Sequence, residues 1–285
     1  LVTFGAFLTV TGVGDFFMDL AMRIAGKNRG GPAKVAVISS CLFGTISGSA
    51  VANVIGTGNF TIPLMKKNGY SPEFAGAVEA VASTGGQIMP PVMGAGAFVM
   101  AEMIGMRYSQ IAAAAIIPAL LYYFAVFVAV DLEAAKNNLK GVEINDSKTT
   151  LTFFMQGWYL LLPLAVLIYC VAVRHDSVTR AALVAILSCC IVSYFKKDTR
   201  MNIGKFMKVL ELSAFRSLTI ISATALAGLA IGTIMLTGLG MKLTLILNTL
   251  SQHSMLLALL IAAITASILG MGLPTVAAYI ISASV

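Results

Sequence analysis

The 285-residue chain is 58% hydrophobic and only 11% charged, with a formal net charge of +7 and a mean hydropathy of +0.91. Soluble domains carry about 25% charged residues, and so thin a supply cannot cover a water-facing surface of this size. A soluble enzyme is excluded on that ground, and the bilayer is the expected solvent.

The charges fall in blocks. Stretches free of Lys, Arg, Asp and Glu run over Val35–Met65, Ala80–Ala101, Tyr108–Val130, Thr149–Val173, Ser217–Met241 and Leu243–Val285. A spanning helix needs about 20 such residues, so most of these can cross a membrane or fold back inside it. The expected class is an all-α polytopic membrane protein. Its basic residues then read as topology signals rather than as a nucleic-acid patch. Cys41, Cys170, Cys189 and Cys190 lie in apolar stretches without metal-ligand spacing and read as small packing residues. The chain opens at Leu1 and stops at Val285 inside apolar runs, without an initiator Met or a signal-peptide pattern, and is expected to be a piece of a longer protein.

In chain order, Leu1–Val13 enters from outside and Asp15–Gly30 lies along the inner surface as an amphipathic helix. Val35–Met65 dips in and returns to the cytoplasm at Lys66-Lys67. Phe74–Met103 goes outward, Tyr108–Val130 comes back, and Asp131–Lys148 is a mixed-charge cytoplasmic loop. Phe153–Val173 goes out, Ala181–Phe195 comes in to the basic segment Lys196–Lys208, and Ser217–Thr237 runs outward. The organisation expected is a first repeat over 1–130, a cytoplasmic linker over 131–152, scaffold helices and a connector over 153–215, and a second repeat over 216–285 truncated in its hairpin.

The repeat is written into the chain. Thr11-Gly12-Val13-Gly14 returns as Thr237-Gly238-Leu239-Gly240, an offset of 226 (237 less 11). At that offset Gly44 meets Gly270, Ser49 meets Thr275, Ala52 meets Ala278 and Ile55 meets Ile281. Glycine placement reflects backbone demand rather than greasiness, so these matches weigh more than apolar identities. The first copy carries Arg23, Lys27, Arg29 and Lys34 after its opening helix, whereas the second has only Lys242 and His253 there. By the positive-inside rule the first stretch is cytoplasmic and the second external, which makes the copies antiparallel. Inverted repeats characterise secondary transporters with mid-membrane sites.

Val35–Met65 has 31 uncharged residues, too many for one ordinary crossing and too polar for lipid in its middle, Phe43-Gly44-Thr45-Ile46-Ser47-Gly48-Ser49-Ala50-Val51-Ala52-Asn53 followed by Gly56-Thr57-Gly58-Asn59. Two limbs of about 15 residues would each reach about 22 Å, so a re-entrant hairpin with its tip near Ser47–Asn53 is expected. Its Ser and Asn oxygens and freed carbonyls suit a hard cation such as Na⁺; the bland alternative is a small-residue packing seam. A second break lies in Ala82-Ser83-Thr84-Gly85-Gly86-Gln87-Ile88-Met89-Pro90-Pro91, where glycines and prolines interrupt a helix or merely kink it. Half-helix ends there would aim partial charges at an anion or a cation. Ser71-Pro72 reads as an N-cap with proline at N1, which sets Glu79 about 10 Å into its helix. This intramembrane acid is read either as a proton carrier or cation ligand, or as a snorkelling or inward-packed Glu. His175 and His253 lack metal spacing and read as interfacial, and Trp158, Tyr159, Tyr122 and Tyr123 read as belt or packing residues.

With these runs in view, the chain resembles the large membrane subunit of the tripartite ATP-independent periplasmic (TRAP) transporters. The resemblance rests on Phe43–Asn53, on Ile62-Pro63-Leu64-Met65-Lys66-Lys67-Asn68-Gly69-Tyr70 and on Ser83–Pro91. Gly86–Pro91 and Gly270-Met271-Gly272-Leu273-Pro274-Thr275 look like the fused permeases that work with TAXI-type binding proteins. The resemblance implies an elevator-type, ion-transporter-like fold of re-entrant hairpins and discontinuous helices. It implies import of an organic acid delivered by an extracytoplasmic TAXI-type binding protein, driven by a Na⁺ or H⁺ gradient across the cell inner membrane. A small membrane subunit fused in a preceding segment is implied as well, with no cofactor and no enzymatic activity. Ser47, Gly48, Ser49 and Asn53 would then form the first ion and substrate region. Ser83, Thr84, Gly85, Gly86, Gln87 and Pro90 would complete it, and Gly270, Gly272, Pro274 and Thr275 would begin the second. Glu79 would bear on the coupling ion. A divalent-anion symporter of similar hairpins without a binding protein is the alternative. An intramembrane hydrolase would need a nucleophile with a base or a His-Glu-x-x-His motif, and neither is present; a passive channel has no use for two occluding hairpins.

Overall fold

The computed structural model describes residues 2–142, 157–174, 176–194, 201–236, 255–270 and 275–284. All secondary structure among them is helical. The chain divides into two compact units, one of residues 1–94 with 107–213 and one of residues 95–106 with 214–285.

In the first unit, α1 (Val2–Val10) and α2 (Val13–Ala25) meet at a bend of 69°. Gly12 makes that bend with φ +86°, a conformation open to glycine. α2 buries Val13, Phe16, Phe17, Ala21 and Ala25 while Asp15 and Asp19 face outward, the amphipathic pattern expected of this stretch. Asp15 in the first turn and Arg23 in the last also complement the helix dipole.

α3 (Gly31–Ser47) starts on Pro32 in its first turn and is enclosed on nearly every side. A helix without a polar face must be buried so. Ala33, Ala36 and Val37 pack with Met65 of α4 (Ala50–Lys67), Ala75 and Val78 of α5 (Pro72–Gly85), and Tyr123 and Val130 of α7 (Tyr108–Lys136). Val35 meets Ala21 and Ala25 of α2. The last turns of α3 place Phe43 and Ile46 in a second cluster with Phe4, Phe7 and Phe16. Completing that cluster are Leu160 of a 3₁₀ turn (Trp158–Leu161), Leu167 and Cys170 of α8 (Leu162–Ala172), and Ala185 and Cys189 of α9 (Val178–Ser193). Cys170 and Cys189 are free thiols buried among these side chains, as small packing residues are.

A two-residue turn joins α3 to α4. Gly48 takes φ +59°, and Ser49 caps α4 by accepting the Ala52 N–H at 3.4 Å. α4 then folds back along α3, which brings Ser40 Oγ within 3.3 Å of Thr57 Oγ1 and lays the Phe43 ring over Gly56. Ser71 caps α5 by accepting the Phe74 N–H at 3.2 Å, the N-cap and N1 proline read from the sequence.

α7 runs to Lys136, six residues into the segment assigned to the linker. The extension has a use: Asp131 pairs with both Arg29 and Lys34. Lys34 is only 6% exposed, and its ammonium also sits 5.1 Å from the Phe127 ring centre. Tyr70 donates to the Gly30 carbonyl at 3.2 Å, and burial beside Asp131 and Glu133 pushes its phenol up to about 12, so it remains a donor. The basic segment before α3, the α4–α5 connection and the end of α7 therefore share one end of this unit.

α7 is the one helix among the described residues long and apolar enough by itself to cross a membrane; the bent α1–α2 pair would be a second if taken together. The crossing scheme expected more full-length spans. Glycine and proline breaks instead divide the apolar runs, so that α1 to α5 are 9 to 18 residues long. Ile117, Leu120, Leu121 and Phe124 of α7 are exposed, an apolar face on a helix of spanning length.

In the second unit, α12 (Thr275–Ser284) packs Val276 and Tyr279 on Ala95 and Val99 of α6 (Ala95–Ile104). This unit also holds α11 (Met255–Gly270) and the later turns of α10 (Ile203–Leu236). At the 226-residue offset, α11 and α12 fall on residues 29–44 and 49–58, the positions of α3 and α4. Thr237–Gly240, Lys242, His175, His253 and Met271–Pro274 lie outside the described residues.

Candidate functional site at the hairpin tip and the α5 break

The break in α5 spans residues 86–94, later than the run Ala82–Pro91 expected, because Ala82, Ser83, Thr84 and Gly85 still extend the helix. Its loop closes on itself through the Gly94 N–H, which donates to the Gln87 carbonyl at 2.7 Å. It docks on the hairpin through the Val92 N–H, which donates to the Thr45 carbonyl at 3.3 Å. Tyr108, opening α7, brings its hydroxyl 2.6 Å from the Val92 carbonyl, to which it donates.

Glycines allow this docking. A Cβ on Gly48 would lie 2.1 Å from the Met93 carbonyl oxygen, and one on Gly44 would lie 2.5 Å from Gly86 Cα. Hairpin and loop therefore meet backbone to backbone. Beside the turn, the Ser47 hydroxyl oxygen is buried with no hydrogen-bond partner among the described residues.

Below the tip lies a fully buried carboxylate. Glu79 is 0% exposed, and it accepts hydroxyl contacts from both hairpin limbs and from its own helix. Thr57 and Thr61 of α4 touch Oε1 and Oε2 respectively. Ser40 of α3 lies 3.3 Å and Ser83 of α5 lies 3.2 Å from Oε1. Asn53, also 0% exposed, donates to the Ser40 carbonyl at 2.8 Å, and Thr57 lies 2.9 Å from the Asn53 carbonyl. Gly58 leaves room for the acid, since a Cβ there would approach Glu79 Cγ at 3.1 Å. A buried charge is costly unless it is hydrogen-bonded, and four hydroxyls meet that demand without a basic partner. No group of three or more His, Cys, Asp or Glu converges among the described residues, so an ion held here would meet hydroxyl, amide and carbonyl oxygens.

Ser47, Gly48, Ser49, Asn53, Glu79, Ser83, Thr84, Gly85, Gly86, Gln87 and Pro90 all lie in the first unit. Their roles differ in detail. Ser49 caps α4, and Asn53 turns back onto α3 rather than out of the tip. Gly85 packs on the Tyr122 and Tyr123 rings. Thr84 is exposed and bonds its hydroxyl to the Ala80 carbonyl at 2.8 Å, so it does not converge with the others. In the second unit, Gly270 ends α11 with open space beside it and Thr275 opens α12 exposed. Gly272 and Pro274 lie outside the described residues. Glu79 packs inward rather than snorkelling.

Sequence reasoning missed Ser40, Thr57, Thr61 and Tyr108. A signal for two of them was present: Asn53, Thr57 and Thr61 recur every four residues and so line one face of α4.

Helices around a buried carboxylate, one of them of spanning length with an apolar outer face, are consistent with a helical membrane protein, and the family match carries that class. The chain belongs to the DctM component family of the tripartite ATP-independent periplasmic transporters, whose model matches residues 1–285. It is similar to the C4-dicarboxylate TRAP transporter large permease protein DctM of Vibrio cholerae, 29% identical over 195 residues, covering 67% of this chain and 42% of that protein. The protein of the same name from Pseudomonas aeruginosa is 28% identical over 201 residues, 70% of this chain and 46% of its own length. A putative TRAP transporter large permease protein of Haemophilus influenzae is 26% identical over 259 residues, 90% of this chain and 60% of its own. The chain thus spans less than half the length of the first two relatives.

Proposed function

We propose that this chain is part of a secondary-active permease of the cell inner membrane that imports a small organic acid. An extracytoplasmic binding protein of TAXI type hands the anion over, a fused small membrane subunit completes the permease, and a Na⁺ or H⁺ gradient drives uptake. The observation that carries the reading is the docking of the Gly48 turn on the 86–94 loop within a chain of the DctM family. Gly48, the unpartnered Ser47 hydroxyl, the Ser49 cap and the loop carbonyls provide small, polar surroundings where an ion and a carboxylate can meet. The C4-dicarboxylate named for two of the relatives supports a carboxylate as cargo.

Helix register supports a hairpin that turns back inside the membrane. Tyr123 donates to the Ser40 carbonyl at 3.4 Å, which sets the level of α3 against α7. From that level the turn at Gly48 is about 12 Å away and the start of α7 at Tyr108 about 22 Å, at 1.5 Å per residue. Counted along each helix, the α3 limb beyond that level is shorter than the α7 stretch, which supports a turn inside the membrane. The hairpin, α5 and its break loop, joined by backbone contacts, would move as one body in an elevator cycle. Each cation entering down a potential of 100 mV supplies about 2.3 kcal/mol, sufficient for about fifty-fold accumulation of a neutralised substrate.

The test uses the full-length permease in proteoliposomes. Ser49→Ala and Asn53→Leu should abolish gradient-driven uptake of succinate while expression and reconstitution persist. Normal uptake by both would remove the site assignment, and uptake that ignores a purified binding protein would favour the symporter without one.

A further inference from the structure

We infer that Glu79 is a proton-binding group whose loading and release couple transport to the proton gradient. The inference rests on the proposed permease reading and deepens it by committing to one ion.

The hydroxyl shell suits two protonation states and no third. With the carboxylate ionised, Ser40, Thr57, Thr61 and Ser83 all point their protons at it. With Glu79 protonated, the acid donates one proton to a threonine oxygen, and that threonine must turn its own proton elsewhere. Both threonines have a second acceptor in place: the Asn53 carbonyl lies 2.9 Å from Thr57 Oγ1, and the Thr57 carbonyl lies 3.1 Å from Thr61 Oγ1. A proton can therefore arrive or leave by hydroxyl rotation, with no buried polar atom orphaned in either state. The net change is one proton bound or released, and no other bond is made or broken.

A metal cation fits this arrangement less well. Thr57 and Thr61 touch the two carboxylate oxygens directly, which leaves no gap between them for an ion. Among the described residues, the groups around the acid carry no fixed charge. Of the elements packed on Glu79, α3 contributes Ser40 with Cys41 beside it, α4 contributes Thr57 and Thr61, and α7 contributes Tyr123 through the Ser40 carbonyl. None of these is a cation, so loading a proton changes the net charge of the interior.

Glu79 is also wired to the site. Thr57 joins it to Asn53, and the Asn53 amide lies 3.0 Å from where a Cβ on Gly86 would stand. The carboxyl thereby holds both hairpin limbs to the helix that leads into the break loop. Neutralising it removes a buried charge from the seam between them.

Infrared difference spectra of the full-length protein in liposomes, recorded across a pH series, test the inference without any substrate. A protonated-carboxyl band that titrates in the wild type and vanishes in Glu79→Gln is the result expected. Thr61→Val, which keeps the acid and removes one hydroxyl, should move the midpoint of that band and so guards against a variant that misfolds. Loss of pH-gradient-driven succinate accumulation in Glu79→Gln, down to the level without a gradient, should accompany the loss of that band. A band absent from the wild type, unchanged in Glu79→Gln, or displaced by Na⁺ would overturn the inference. A wild type that titrates as described yet moves no succinate would instead count against the permease reading.

Discussion

Gly44 of α3 and Gly86 of the break loop touch through their backbones: a Cβ on Gly44 would fall 2.5 Å from Gly86 Cα, and one on Gly86 would fall 2.8 Å from Gly44 Cα. No side chain can give way at such a contact. Gly44→Ala and Gly86→Ala should each destabilise by about 1–3 kcal/mol, the range of overpacked cores. Gly76→Ala on α5 meets nothing within 4 Å and should be neutral or stabilise by about 0.5–1 kcal/mol. Thermal unfolding in detergent reads all three, and equal midpoints would contradict the close approach.

At the turn, Gly48 combines φ +59° with a Cβ position 2.1 Å from the Met93 carbonyl oxygen. Gly48→Ala should cost about 1–2 kcal/mol in backbone strain alone and push the loop away. Amide hydrogen exchange should show it locally: the Val92 and Gly94 N–H groups, bonded to Thr45 and Gln87, should exchange faster than in the wild type.

Asp131 answers two cations of unequal burial. The Lys34 side chain is 8% exposed and that of Arg29 is 54% exposed. Exposed pairs contribute about 0–1 kcal/mol, so Arg29→Ala should cost little. Asp131→Ala strands a buried ammonium and should cost about 1–3 kcal/mol. Combining Lys34→Met with Asp131→Leu should recover part of that loss, because a well-packed apolar pair can replace a buried ionic one. A double-mutant cycle on unfolding midpoints measures the coupling.

Among the described residues the Ser47 hydroxyl has no partner to lose. Ser47→Ala should leave stability within about 0.5 kcal/mol, since removing an unpaired buried polar group costs no hydrogen bond. Succinate uptake by the full-length permease should nevertheless fall severalfold, because the proposed site loses an oxygen at the tip. A stable variant with unchanged uptake would take Ser47 out of the site.

Much of the local structure was readable along the chain. The N-cap at Ser71-Pro72, the turn at Gly48-Ser49 and the interruption after Gly85-Gly86 follow from residue types whose backbone preferences act over a few positions. The boundaries were less legible. α7 continues past Val130 because Asp131 finds Arg29 and Lys34, about a hundred residues earlier in the chain. The second region was readable only in outline, since Gly272 and Pro274 lie outside the described residues.

Composition and the spacing of charges pointed to a helical chain for a bilayer, because runs of twenty uncharged residues recur with too few charges to cover a water-facing surface. Glycines and prolines determined where its helices stop, because those constraints are local. Only the tertiary structure decided what surrounds Glu79. Ser40, Thr57, Thr61 and Ser83 reach one carboxylate because α3 and α4 fold back in one register and α5 packs across both. That register is set by Gly44, Gly58 and Gly86 admitting close approach, and in one dimension a serine that solvates a buried acid looks like any other serine in a packing seam.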